Sequence, residues 1–232
     1  ITYDYQGNDQ NFLGTDDQYI RDKVSLFNKN ASGKYNFPNP HGGGTAYMNA
    51  VDENGLGISL IQSNFYGIGS RIGVGNYGFF LHNRGCGFNL IRGHPNNLGP
   101  NKKPLHTLSP TLWSKNGSLE FITGTRGGRY QPQLLAQTIL PYILGKSSFE
   151  EVVEKPRWTL DYFGSNTSSN IKFEYLNEPE ISCLKDKGHE ISIENKFIGG
   201  YGPISTIYKN SDEKFVGVPD IRVGTEKAFN SS

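Results

Sequence analysis

The chain has 232 residues, enough to bury a sizeable core in one large domain or two small ones. Its 23 Lys and Arg nearly balance 22 Asp and Glu, and with no basic block or acidic tail the composition argues against nucleic acid and membrane-surface partners. No apolar run approaches the ~20 residues that span a bilayer. The 29 glycines and 12% aromatics point instead to a loop-rich, β-containing, enzyme-like fold.

In chain order, Asp16–Asn28 has a helical pattern (Tyr19, Ile20, Val24, Phe27). Asn30–Gly44 is rich in Asn, Gly, Pro and Ser and reads as an exposed linker, where a chain can be cut. A boundary is therefore expected between residues 1–44 and 45–232. Thr45–Val51 and Gly57–Gln62 read as strands joined by the turn Asp52-Glu53-Asn54-Gly55. Gly67–Gly78 is a glycine-dense loop before the apolar Phe79-Phe80-Leu81, and Asn83–Lys103 is a second loop. Leu119–Thr123 is a further strand that runs into Gly124-Thr125-Arg126-Gly127-Gly128. Gln133–Leu144 reads as a helix kinked or shortened by Pro141. Ser148 with Glu151 predicts a capping box on a short helix that Pro156 ends. The last third alternates strands with turns: Ile171–Tyr175, Glu190–Glu194, Ile204–Tyr208 and Lys214–Val218. This order is α+β, with a layered sheet core covered by helices.

Cys86 and Cys183 show no metal spacing; buried small hydrophobes and a single disulfide both fit, and free thiols are favoured. The sequons at Asn30, Asn116, Asn166 and Asn230 are incidental matches. The first residue is Ile1 rather than Met, which reads as a fragment or processed piece without its targeting region. A cytoplasmic location is expected.

The most informative stretch is residues 42–55. Three glycines precede Thr45 at the head of a strand, an arrangement that suits a self-cleaving hydrolase. Cleaving Gly44–Thr45 frees an α-amine beside a hydroxyl, so that one residue supplies base and nucleophile. Thr is also an ordinary strand residue.

Further motifs bear on the choice. Thr45, Val51-Asp52 and Gly55, then Gly67-Ile68-Gly69-Ser70, Lys103-Pro104-Leu105 to Ser109-Pro110-Thr111, Gly124 to Gly128, and Lys155-Pro156-Arg157 stand in one order. Together they resemble the small subunit of the γ-glutamyltranspeptidase family of N-terminal nucleophile hydrolases. The resemblance implies a four-layer αββα sandwich and a heterodimer with a large subunit cut from the same precursor. Residues 1–44 are then the tail of that large subunit. It implies Thr45 as nucleophile, the N–H groups of Gly127 and Gly128 as oxyanion hole, and Ser63 as a hydroxyl supporting the nucleophile. It places His106 and Thr107 where typical transpeptidases carry two serines for the substrate carboxylate. It calls for no metal or organic cofactor.

The departures concern specificity. The transpeptidases hold the substrate ammonium with an acidic residue where this chain has Gly87, and Asn83–Phe88 contains no carboxylate. Arg84 offers a fork that can hold a carboxylate, or is a solvated surface side chain. Ala46-Tyr47 replaces the usual Thr-His after the nucleophile, and Arg126 and Arg129 flank the glycine pair. Ile61-Gln62-Ser63, Asn83-Arg84-Gly85, Leu105 to Leu108 and Gln131-Pro132-Gln133 resemble an oxamate amidohydrolase-like or cephalosporin-acylase-like branch. The leading expectation is a self-processing amidohydrolase for a small carboxylate-bearing amide. A γ-glutamyl hydrolase or transpeptidase and a non-processing binding homologue are the alternatives.

Overall fold

The computed structural model describes residues 21, 44–160, 170–194 and 201–224. The chain divides into two compact units, Ile1–Gly42 and Gly43–Ser232. Of the helix expected over Asp16–Asn28 only Arg21 is described, and it is helical; the linker expected before Gly44 lies outside the described residues.

The expected hairpin forms from β1 (Thr45–Val51) and β2 (Gly57–Ser63), antiparallel, with Thr45 opposite Ser63 and Val51 opposite Gly57. Asp52 builds its turn: Oδ1 accepts the N–H groups of Asn54 and Leu56, and Gly55 takes the positive φ of 81° that closes it. Burial alternates along both strands, so one face carries Tyr47, Asn49 and Ser59 inward and the other leaves Met48, Ile58 and Leu60 exposed.

A second sheet has the order β3 (Thr111–Lys115), β4 (Ser118–Thr125), β8 (Ile204–Lys209), β9 (Phe215–Val218). β3 was not among the expected strands, although Asn116-Gly117, both at positive φ, is a strong hairpin signal. The inner face of the β1–β2 hairpin stacks on this sheet. Tyr47 packs against Gly124, where a Cβ would sit 2.1 Å from its ring, and Gly57 meets Leu119 and Ile122. The Tyr47 hydroxyl bonds Ser59 Oγ at 2.9 Å, and burial pushes the phenol above its ordinary pKa. Asn49 Nδ2 donates to the Ser205 carbonyl across the stack.

The opposite face of the second sheet carries the helices. These are α1 (Gln131–Ile143), which begins two residues earlier than expected with Pro141 in its last turn, and α2 (Phe149–Glu154), which has the expected capping box. Phe121, Leu135, Ile139, Phe149, Val153 and Val218 form the core there, with Tyr142 stacked on Phe149. On the same face Thr123 and Thr206 pair their hydroxyls at 2.8 Å, so the polar atoms of that buried layer satisfy each other.

A third, mixed sheet joins β5 (Trp158–Leu160), β6 (Asn170–Phe173) and β7 (Glu190–Ile193). β6 and β7 are parallel, which requires a crossover, and an unexpected helix α3 (Glu178–Asp186) supplies it. Gln137 of α1 docks the edge of this sheet by pairing its amide with the backbone N–H and C=O of Trp158. Cys86 and Cys183 are free, and both are exposed, so neither is a buried core residue.

The deepest polar feature is a network of four charges, Arg157, Glu174, Asp220 and Arg222, all at 7% exposure or less. Arg157 Nη2 meets Asp220 Oδ2 at 2.6 Å, and Arg222 pairs with Asp220 and, through two nitrogens, with Glu174. Burial lowers the Arg157 pKa despite Asp220, whereas in Arg222 the bonds to Glu174 and Asp220 outweigh burial and raise it. The remaining valences go to backbone. Arg157 donates to the Gly202 carbonyl, Arg222 to those of Val153 and Lys155, and Asp220 accepts from Ile204 N–H.

Two outcomes follow from this packing. Asp220→Asn removes the charge facing two buried guanidiniums and is expected to cost about 3–5 kcal/mol in denaturant unfolding; an unchanged midpoint would show the network to be dispensable. Gly124→Ala forces a methyl into the Tyr47 ring, at a cost of about 1–3 kcal/mol. The double variant with Tyr47→Ala is expected to cost less than the sum of the single variants.

Candidate functional site

Gly44 sits where the chain enters β1. A Cβ there would lie 2.1 Å from the Gly67 carbonyl oxygen, so only glycine fits, and the Gly44 carbonyl accepts from Asn64 N–H at 3.1 Å. Thr45 Oγ1 lies 2.7 Å from Ser63 Oγ, its cross-strand neighbour. Ser63 Oγ also accepts the Phe65 N–H at 3.0 Å, which leaves the serine proton free to point at Thr45. Ser63 thus faces the threonine rather than solvent.

That bond depends on an unusual backbone. Phe65 has a φ of 76°, a region a bulky L-residue enters only when its surroundings hold it there. Asn83 supplies the hold: its side chain accepts from Tyr66 N–H and donates to the Tyr66 and Gly69 carbonyls. Asn83 also leads into the short 3-10 turn Arg84–Gly87.

Arg84 is buried at 6% exposure, so the surface reading of this residue is corrected. Its guanidinium rests 4.8 Å over the Phe65 ring, and Nη1 donates to Thr107 Oγ1 at 3.3 Å. Nη2 is buried with no hydrogen-bond partner among the described residues. An unpaired donor on a buried cation is costly in a resting fold. The Arg84 side chain forms part of the wall of an open cleft of about 750 Å³ lined also by Ile61, Ser63, Pro104, His106 and Leu108, among others. Thr107 is buried against Arg84, and His106 is an exposed part of the cleft wall.

Gly127 and Gly128 follow β4 with φ of 134° and 56°, values that suit glycine alone. Tyr47 packs on Gly124 whereas Gly57, at the far end of the hairpin, packs on Leu119 and Ile122, so the Thr45 end of β1 and the glycine-pair end of β4 point the same way. The pair is buttressed from behind. Gly202, at φ 59°, presses against the Arg126 carbonyl and Thr125 Oγ1, and its own carbonyl is held by Arg157. Gln131 at the head of α1 accepts the Ser109 N–H at 2.9 Å and so ties the extended segment bearing Thr107, which forms no strand, to the helix after the glycine pair.

The structure brings Thr45 and Ser63 into contact, joins Arg84 to Thr107, and sets His106, Ser63 and Arg84 around one cleft. Sequence reading missed Phe65, Asn83 and the buttress Arg157–Asp220–Gly202. The Asn-Arg-Gly run was visible, but nothing in it announces that Asn83 clasps a loop 14 to 17 residues upstream.

Comparison with known proteins gives the family. The γ-glutamyltranspeptidase family model matches residues 9–229. An oxamate amidohydrolase proenzyme of Klebsiella pneumoniae is 32% identical over 79% of this chain and 36% of its own length. A glutathione hydrolase-like YwrD proenzyme of Bacillus subtilis is 32% identical over 71% of the chain and 31% of its own. The chain thus spans about a third of the length of these relatives. The solved γ-glutamyltranspeptidase of Pseudomonas nitroreducens complexed with L-DON superposes with a TM-score of 0.67 at 19% identity, covering 80% of this chain and 99% of that one. The N-terminal nucleophile hydrolase fold, α+β with stacked sheets, is therefore shared, and the chain belongs to the γ-glutamyltranspeptidase family.

Proposed function

We propose that this chain is the catalytic part of a self-processing amidohydrolase whose nucleophile is Thr45. The observation that carries the reading is the 2.7 Å hydroxyl pair of Thr45 and Ser63 at the head of β1, directly behind a position that only glycine can occupy. Attack of Oγ1 on the Gly44 carbonyl carbon forms a C–O bond and breaks the Gly44–Thr45 C–N bond. The hydroxyl proton goes to the departing nitrogen. Water then hydrolyses the ester, leaving a Gly44 carboxylate and Thr45 with a free α-amine. In turnover that amine takes the proton as Oγ1 attacks the substrate amide and returns it to the leaving amine, and a water molecule releases the acyl group.

Ser63 donates to Thr45 Oγ1 and fixes its rotamer. The N–H groups of Gly127 and Gly128 receive the oxyanion; one such donor typically contributes about 2.7–4 kcal/mol to lowering the barrier. Arg84, steadied by Thr107, turns its guanidinium to a substrate carboxylate, and His106 forms the adjoining wall. The partner is a large subunit from the same precursor, a reading supported by relatives that are named as proenzymes. A γ-glutamyl hydrolase is the second reading, favoured by the similarity to a glutathione hydrolase-like relative. Against it stands the run Asn83–Phe88, which has no carboxylate for the ammonium.

Intact denaturing mass of the full-length protein is expected to reveal a fragment beginning at Thr45, absent from Thr45→Ala. A wild-type chain that stays whole after long incubation would overturn the reading. In the processed enzyme, Arg84→Gln is expected to lower kcat/KM for a glutaryl anilide roughly 10- to 100-fold, the scale of a lost charge-assisted hydrogen bond. A γ-glutamyl anilide preferred over both glutaryl and oxamate-type amides would instead select the second reading.

A further inference from the structure

The balanced charge of the chain conceals a strong segregation. From Asn54 to Leu119 the sequence contains no Asp or Glu, yet it holds six Lys and Arg and three His. This acid-free stretch builds the cleft. His82, Arg84, Lys103 and His106 line it, and no carboxylate among the described residues does. His82 Nδ1 accepts the Arg84 N–H, so in the neutral ring the proton sits on Nε2 and that atom is a donor. Lys102 is occupied with the carbonyls of Pro95 and Asn97, whereas Lys103 has no partner among the described residues. The cleft therefore holds two positive charges that differ in burial, Arg84 buried with Nη2 unpaired among the described residues and Lys103 exposed to solvent.

We infer that the substrate is a dianionic amide without an ammonium group, its acyl carboxylate against Arg84 and a second anionic group, on the leaving amine, against Lys103. This rests on the amidohydrolase reading above and adds the charge and size of its substrate. The orientation follows from the order of events. The leaving amine must depart before water can reach the acyl-enzyme, so it occupies the solvent side, where Lys103 lies. The acyl part stays at the buried end beside Ser63 and Arg84. A volume of about 750 Å³ is that of a site for a drug-sized ligand, far more than a two-carbon amide fills. An ammonium placed among these cations would meet no compensating charge from the cleft walls.

The test compares three anilides on the processed full-length enzyme: glutaryl-3-carboxy-4-nitroanilide, its uncharged 3-carbamoyl counterpart, and γ-glutamyl-3-carboxy-4-nitroanilide. The expected result is a kcat/KM about fivefold higher for the carboxy than for the carbamoyl glutaryl compound at low salt, as for a partly exposed ion pair. That advantage is expected to shrink as ionic strength rises and to fall to about one in Lys103→Gln. Equal rates for the two glutaryl compounds at low salt, or a preference for the γ-glutamyl compound, would overturn the dianion inference while leaving Thr45 chemistry intact. Failure of the processed enzyme to turn over any of the three would overturn this inference, whereas the amidohydrolase reading itself falls only if the chain is never cut before Thr45.

Discussion

Four buried charges hold the described part of this fold in register. Arg157, Glu174, Asp220 and Arg222 come from the start of β5, the end of β6 and the loop after β9, segments far apart in sequence. Charges in such a place are tolerable only when each is paired and its remaining valences are met. Here the spare valences are spent on main chain: the carbonyls of Gly202, Val153 and Lys155 and the N–H of Ile204. The network thereby fixes the turn that enters β8. That turn presses on Thr125 and Arg126, immediately before the glycine pair. A salt-bridge cluster in the interior thus sets the position of a loop at the surface.

Stacking does the rest. The hairpin and the four-stranded sheet share no ladder hydrogen bonds; they meet through side chains, with Tyr47 on Gly124 as the tightest contact. Because glycine removes the Cβ on one side, an aromatic ring can approach the other sheet closely. This close approach brings the Thr45 end of β1 towards the same rim as the loop after β4. The acid-free loops between β2 and β3 then wall the cleft beside Ser63.

Much of this was legible in the sequence because it is periodic or punctuated. The alternation of residues 45–51 and 57–63, the Asp-Glu-Asn-Gly turn and the Ser148–Glu151 box are local signals, and local structure obeys them. The crossover helix α3 was missed because Glu-Pro-Glu at its start resembles a turn, although Pro is at home in a first helical turn. The fork of Arg84 was visible in the sequence but its burial was not: that depends on Phe65 beneath it and Thr107 beside it, 19 and 23 residues away. The cationic cleft was missed for the opposite reason. A net charge averages over the chain, and 22 acids placed elsewhere cancelled the signal. The glycine run before Thr45 suggested a nucleophile from the residues alone, whereas the roles of Gly127 and Gly128 came from resemblance.

Phe65 shows how far fold and site can ask for different residues. Its positive φ favours glycine on conformational grounds, and a glycine there would relax the backbone. The same change would take away the ring beneath the Arg84 guanidinium. Position 65 is thus a point of frustration, where selecting variants for thermal endurance alone would drift towards a sturdier molecule with a poorly seated arginine. Screens that raise robustness in this protein need ligand capture as a second criterion, because at this residue the two properties pull in opposite directions.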